Sequence, residues 1–416
     1  MKHLKLISCV GLLMLIFGCE DFSYMGSMFG DVSSGNVPPK TVDIYIGEAA
    51  DIVSPGLKSR GSGVIENTDD FTDGRAFYIY AFNQDALTSF AVTNAENSMR
   101  CLIDGTLDNP GTRAGRAARC DTKLKQAKWL AGDNVFWPTG DNVSNRYDFF
   151  AYYVDDMVLD ESDYHRNEND VVIDIEIDGS QDVMSSKASP SDEELEKLFK
   201  DEIDRINYKY YYCYSYDAAE KGLNPTFVFK HHLVRLRFKI VSGGTEGYTS
   251  DVTYEGVAVE SRYQAAFKVA DKADPSGIGL TFKPNYRQLE LTEADGSSFT
   301  KKTIRTHDLG KGESKPEDML LEGSLLVAPD SRYKLHLLLS EERSDGLVLG
   351  NCHYVTDVYR GSSQDNPLYF VAGNEYLVTL TTYGSMIVDV KVELTKWENG
   401  GDYIHDSDEE FETTTY

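Results

Sequence analysis

The chain has 416 residues, a formal net charge of −27, 26 Tyr and 19 Phe. A charge of that sign argues against a nucleic-acid partner, which needs a basic patch or stripe, and an anionic leaflet would repel the folded body. No stretch reaches the ~20 apolar residues of a membrane-spanning helix.

The N-terminus reads as an export signal. Lys2 and Lys5 supply a short basic region, and an apolar run from Leu6 to Phe17 comes next, too short to span a bilayer. It ends in Leu15-Ile16-Phe17-Gly18-Cys19, which resembles the lipobox of bacterial lipoproteins. Small Gly18 suits a peptidase pocket, and the Cys19 thiol is the group that accepts diacylglycerol. Residues 1–18 are thus expected to be removed, and Cys19 to carry the lipid that holds the mature chain to a membrane. An ordinary secretory signal with an incidental Cys is the alternative. Residues 19–40, with Ser33-Ser34-Gly35-Asn36 and Pro38-Pro39, read as a lipidated tether.

Strand patterns come after it. Thr41 to Ile46 places Val42, Ile44 and Ile46 on one face, the period of a half-buried strand. Ala76 to Phe82 and Tyr147 to Tyr153 are strand-like and aromatic, and Val171 to Ile177 alternates again. One helix interrupts them. Ser191 caps it with Glu194 at capping-box spacing, and Leu195, Leu198, Phe199, Ile203 and Ile206 form one expected apolar stripe. A second unit opens near Thr226, with Val234, Leu236, Phe238 and Ile240 on one face. Strands are then expected over 320–327, 333–339, 354–359, 376–380 and 386–394. The last sets Val388, Val390, Val392 and Leu394 inward. The pattern predicts a mostly β fold of two β-sandwich domains with a minor helix, over 41–225 and 226–416, with the seam around 215–230.

Cys101 and Cys120 bracket a loop rich in Gly, Asp and Arg, and would either pair or stay apart. Cys213 and Cys352 read as buried thiols. None of the eight His sits in a ligand or catalytic pattern, so no catalytic residue, metal site or cofactor is expected and the chain is not read as an enzyme. His231 and His232 point to opposite faces of a strand, and His232 shares parity with Val234, which makes it a core histidine. Asp69-Asp70-Phe71-Thr72-Asp73-Gly74 lacks the spaced oxygens of a calcium loop and reads as a solvated turn.

Several segments together resemble the fimbrillin family, the pilin-like lipoproteins of Bacteroides-type anaerobes. They are residues 77–83, 147–153, Asp182-Val183-Met184, the run from Phe229 to Phe238, and the closing stretch from Gly373 through Trp397 to Gly401. The resemblance implies two transthyretin-like sandwiches and a fimbrial subunit of the outer membrane and cell surface, with other fimbrial subunits as partners. It implies that an Arg-specific protease removes the lipidated segment with its first strand, and that a neighbour's donor strand fills the groove. Carried onto this chain, Val42, Ile44 and Ile46 would belong to the displaced strand. Arg60, among Gly and Ser, is either the cleavage site or a plain surface Arg. The tail after Trp397 is short, acidic and without alternation, so it makes a poor donor and points to a tip or accessory subunit. An uncleaved anchor, or a stand-alone surface lipoprotein binding glycan or host protein, is the competing expectation.

Overall fold

The computed structural model describes residues 38–395, apart from 48–64, 66–69, 72–73, 85–100, 105–113, 140–145, 156, 158, 167–169, 211–212, 272–276, 312–316 and 362–366. Cys19, Arg60 and the tail after Thr395 lie outside the described residues.

The described chain is mostly β. Its strands begin with β1 (Tyr45–Ile46), β2 (Phe77–Asn83), β3 (Cys101–Ile103), β4 (Arg116–Asp121) and β5 (Gln126–Trp129). Next come β6 (Tyr147–Val154), β7 (Tyr164–Arg166), β8 (Asp170–Glu176) and β9 (Val183–Lys187). Three short helices intervene: α1 (Asp192–Leu198), α2 (Glu202–Tyr210) and α3 (Tyr216–Glu220). The chain resumes with β10 (Thr226–Phe227), β11 (Lys230–His231), β12 (Val234–Ser242), β13 (Gly244–Thr245), β14 (Ser250–Arg262), β15 (Gln264–Asp271) and β16 (Gly279–Phe282). It continues with β17 (Tyr286–Glu290), β18 (Lys302–Arg305), β19 (His307–Asp308), β20 (Asp318–Val327) and β21 (Arg332–Arg343). It ends with β22 (Val348–Tyr359), β23 (Glu375–Gly384) and β24 (Ile387–Thr395).

The first sheet has the order β10-β1-β5-β4-β2-β6-β9-β11, with β3 also on β2. Its two ends, β10 and β11, are only a few residues apart in the chain, so the sheet curls around a core. Phe77, Ile79, Phe149, Tyr153, Phe227 and Phe229 fill that core together with Val42, Ile44 and Ile46. The other face of β2 and β6 carries Tyr80, Phe82, Phe150 and Tyr152, which belong to a second core. Both faces are buried, which is why these two strands carry aromatic runs and not the apolar–polar alternation of a one-sided sheet. That second face is covered by the sheet β16-β15-β8-β7, whose Phe267 meets Tyr152 edge-on at 6.0 Å. Here β15, which comes after residue 226 and carries β16 on its other edge, pairs with β8, which precedes it and carries β7. A bidentate Arg166–Asp104 pair, 2.9 and 3.0 Å and almost wholly buried, lies beside Tyr80 and Phe82.

The remaining strands, apart from β13 and β19, which pair with each other, form a sandwich. Sheet β20-β12-β23-β24 packs on sheet β17-β14-β21-β22, with β18 also on β14. Leu236, Phe238, Ile240, Val378 and Leu380 face Tyr254, Leu335, Leu337 and Leu339 in the interior. The buried Tyr254 hydroxyl meets Thr382 Oγ1 at 2.6 Å across the two layers.

Two expectations change, the single helix and the burial of Cys352, and one open alternative, at Cys101 and Cys120, closes. The single helix is two, because Phe199 takes an extended conformation at the end of α1 and the Asp201 carboxylate accepts the Ile203 N–H to start α2. Ser191 does cap α1 through Glu194 N at 3.1 Å, and Leu195 and Phe199 are buried, but the break turns Ile203 and Ile206 outward. Cys101 and Cys120 do not bridge. Register puts Cys101 opposite Phe82, while Ala118 stands opposite Phe77, so the two cysteines lie toward opposite ends of β2. At ~3.3 Å per residue their separation far exceeds what a disulfide spans. Cys213 is a buried thiol as expected, in a turn and not a strand, and burial pushes its pKa up to about 11. Cys352, on the rim strand β22, is only half-buried.

Candidate functional site

The segment from Lys40 to Gly47 threads a slot in the first sheet. On one side Val42 N donates to Val135 O and Ile46 N to Lys125 O, while Trp137 N donates to Lys40 O and Ala127 N to Ile44 O. On the other side Tyr45 N donates to Pro225 O and Gly47 N to Phe227 O. Its pairing is antiparallel to β5 and parallel to β10. Val42, Ile44 and Ile46 are 7%, 2% and 2% exposed, while Thr41, Asp43, Tyr45 and Gly47 between them are half-buried. The expected removable strand is therefore brought into one continuous core. Each buried side chain contributes ~1.5–3 kcal/mol of transfer free energy. The segment is docked from its start: Pro38 O accepts the Tyr216 hydroxyl at 3.0 Å, and Lys40 reaches Glu220 at 3.7 Å.

Space is tight where the segment leaves the slot. A Cβ on Gly47 would stand 3.1 Å from Val228 Cγ2 and 3.3 Å from Thr226 Cγ2. The chain is next described at Ile65, 1% exposed, and Phe71, 1% exposed, both in the same core as β1. Ile65 N donates to Asp182 Oδ2 at 3.1 Å, and the same carboxylate holds His231 Nδ1 through Oδ1 at 3.1 Å. Asp182 and His231 side chains are fully buried. Phe71 packs on Phe77, Tyr153 and Phe229 with ring centroids 5.0–5.4 Å apart, and its carbonyl accepts Cys120 N. The segment before Arg60 and the segment after it are thus held by separate sets of contacts.

The strand half of this site was legible as alternation. The pin made by Asp182, Ile65 and His231 was not: Asp182 stood out only as part of the Asp182-Val183-Met184 segment, and no signal ties it to a residue 117 positions away. His232, expected from parity to be the core histidine, is half-buried, with Nε2 2.6 Å from Ser185 Oγ, and desolvation pushes its pKa down to about 4. His231, on the other face, is the more deeply buried of the two, at 4% exposed. Within the acidic segment 69–74, Phe71 is a core residue, while positions 69, 72 and 73 lie outside the described residues.

No protein-family model matches the chain, and no curated protein sequence matches it either. Solved structures do. It is similar to a candidate cell adhesion protein from Bacteroides uniformis, at 16% identity and a TM-score of 0.41, over 86% of this chain and 98% of that one. It is also similar to a tip fimbrial protein from Porphyromonas gingivalis with a C-terminal truncation, at 10% identity and a TM-score of 0.31, over 86% and 100%. A fimbrial anchor protein from Porphyromonas gingivalis matches at 11% identity and a TM-score of 0.30, over 88% and 100%.

Proposed function

We propose that this chain is a non-enzymatic, pilin-like fimbrial subunit of the outer membrane and cell surface, built from sandwich units over 41–225 and 226–416 that share strands across the seam, since β10 and β11 complete the first sheet and β15 pairs with β8. Lipid on Cys19 tethers it first; proteolysis after Arg60 then releases the segment that carries Val42, Ile44 and Ile46. The observation that carries this reading is the slot itself. A short alternating segment sits between two partners, and the chain is anchored again at Ile65 and Phe71, so cutting between them severs the strand and leaves those two anchors in place. Its departure would leave Val135 O, Lys125 O, Ala127 N, Trp137 N, Pro225 O and Phe227 O without their present partners. Those groups and the vacated apolar pockets are what an incoming strand satisfies in β-augmentation.

The subunit is a better acceptor than donor. β24 is bonded to β23 from Thr395 opposite Glu375 to Ile387 opposite Gly384, so giving it up would strip the rim of the second sandwich. A tip or accessory place in a fibre, supporting adhesion to a host or bacterial surface ligand, agrees with that imbalance. The test is the N-terminus and intact mass of the protein from the outer membrane and from sheared surface material. A start at Gly61 without lipid is expected, and Arg60→Ala should abolish it. Acylated Cys19 in both fractions would overturn the cleavage step and leave an anchor or a stand-alone lipoprotein.

A further inference from the structure

Sequence spacing puts none of the histidines in a ligand pattern, and among the described residues no group of three or more His, Cys, Asp or Glu is arranged to hold a metal ion. Strand register nevertheless creates a pair that spacing does not show. In the antiparallel pairing of β21 and β22, His336 stands opposite Val355 and Leu338 opposite His353. His336 and His353 are therefore diagonal neighbours on the outward face of the sandwich, while Leu335, Leu337 and Leu339 are buried on the other. His336 Nδ1 lies 3.2 Å from His353 Nε2, with the rings inclined by 18°. Gln288 on β17 brings its side-chain amide within 3.3 Å of the same Nδ1. Behind the ring, His336 Nε2 is buried and makes no hydrogen bond, and Glu260 Oε2 on β14 is 3.6 Å from it.

These positions have a chemical consequence. The Glu260 carboxylate favours the tautomer that keeps the proton on His336 Nε2, which leaves the Nδ1 lone pair facing His353. A carboxylate that accepts the second ring N–H of a ligating imidazole fixes its orientation, and closing the 3.6 Å gap by a few tenths of an ångström would make that bond here. Two nitrogens bound at ~2.0–2.1 Å to one tetrahedral ion stand roughly 3.3 Å apart, close to the separation found here. His353 and Gln288 are exposed, so an ion and its remaining waters can reach the pair.

We propose that His336 and His353 form a two-histidine site for a divalent transition-metal ion of the imidazole-favouring kind, Zn²⁺ or Cu²⁺, on the outer face of the C-terminal sandwich. Glu260 is the positioning carboxylate. Water completes the coordination, and Gln288 offers its carbonyl oxygen when its amide is turned over. Without metal, His353 Nε2–H donates to His336 Nδ1. On binding, that proton moves through solvent to His353 Nδ1, so both facing nitrogens present lone pairs.

The test is calorimetric titration of the chelator-stripped full chain with Zn²⁺, and Cu²⁺ electron paramagnetic resonance on the same material. Saturable binding of one equivalent is expected, weakened at least tenfold in His336→Gln and in His353→Gln, and ~10–100-fold in Glu260→Gln. The Cu²⁺ spectrum should lose one nitrogen ligand in either histidine variant. All three positions lie on the outer face, so unchanged metal-free melting is expected and separates lost binding from lost fold. An absence of saturable binding, or binding that persists unchanged in both histidine variants, would overturn the proposal.

Discussion

The segment 40–47, which contains β1, and β24 both alternate and set aliphatic side chains on one face, yet they end in opposite situations. The first has a partner on each edge at β1, and its inward residues Val42, Ile44 and Ile46 are closed off from solvent. β24 has one partner and lies on the rim of its sheet. Burial there holds at Val388, 3% exposed, loosens through half-buried Val390 and Val392, and is lost at Leu394, 52% exposed. Alternation therefore says which side chains face a core; it does not say how many edges of the strand are occupied. A strand with both edges filled leaves a slot when it goes. A rim strand exposes only one further edge.

The largest change expected in breaking this contrast is at the pin that Asp182 makes with Ile65 and His231. Asp182→Ala removes the acceptor of Ile65 N–H and of His231 Nδ1 in a site closed to water. Stranding a buried donor costs ~1–3 kcal/mol each, so a loss of about 4 kcal/mol is expected in urea unfolding. Asp182→Asn, which keeps an acceptor oxygen, should recover part of it. A loss under about 1 kcal/mol would mean that the chain after Arg60 is held by Phe71 and its ring contacts alone.

The next effect compares the two strands directly. Ile44→Ala should cost about 3 kcal/mol, within the range for truncating a buried aliphatic side chain. Leu394→Ala should stay within about 0.5 kcal/mol, as an exposed position does. Equal costs would show that the rim strand is covered in solution. If the segment up to Arg60 is removed by proteolysis as proposed, the Ile44→Ala penalty should vanish from the shortened protein while any effect at Leu394 remains.

Much of this architecture is legible in the sequence, and the gaps have physical causes. The aromatic runs of β2 and β6 announce strands buried on both faces, and Ser191 with Glu194 announces the start of α1. The stripe through Ile206 fails because a helix pattern carries no mark of the chain leaving the helix at Phe199. The slot is half legible: Val42, Ile44 and Ile46 define a face, but the parallel partner at Thr226 and Phe227 comes from a segment far along the chain. The His336–His353 pair is silent in sequence for the same reason, since only strand register brings together residues 17 positions apart. Cys19 and Arg60 rest on motif and resemblance.

The smallest expected effect separates the regions by acid. His232 sits where the covering sheet meets the first sheet, with Ser185 Oγ at Nε2 and Phe267 5.5 Å from its ring. Burial, and then the neighbouring His231, push its pKa down to about 4 from an ordinary 6.5. The folded state therefore keeps the ring neutral while the unfolded chain protonates it, so the unfolded state binds more protons between these two values. Stability from this group is complete above about pH 6.5 and falls as the pH drops toward 4, by roughly 1.4 kcal/mol at pH 5.5. Hydrogen exchange at pH 7 and 5.5, corrected for intrinsic rates, should show β9, β11 and β15 losing protection while β23 and β24 keep theirs. His232→Gln should flatten that pH dependence whatever it does to stability at pH 7. A uniform loss across both regions, unchanged in the variant, would assign the acid response to the carboxylates of the chain at large and not to this ring.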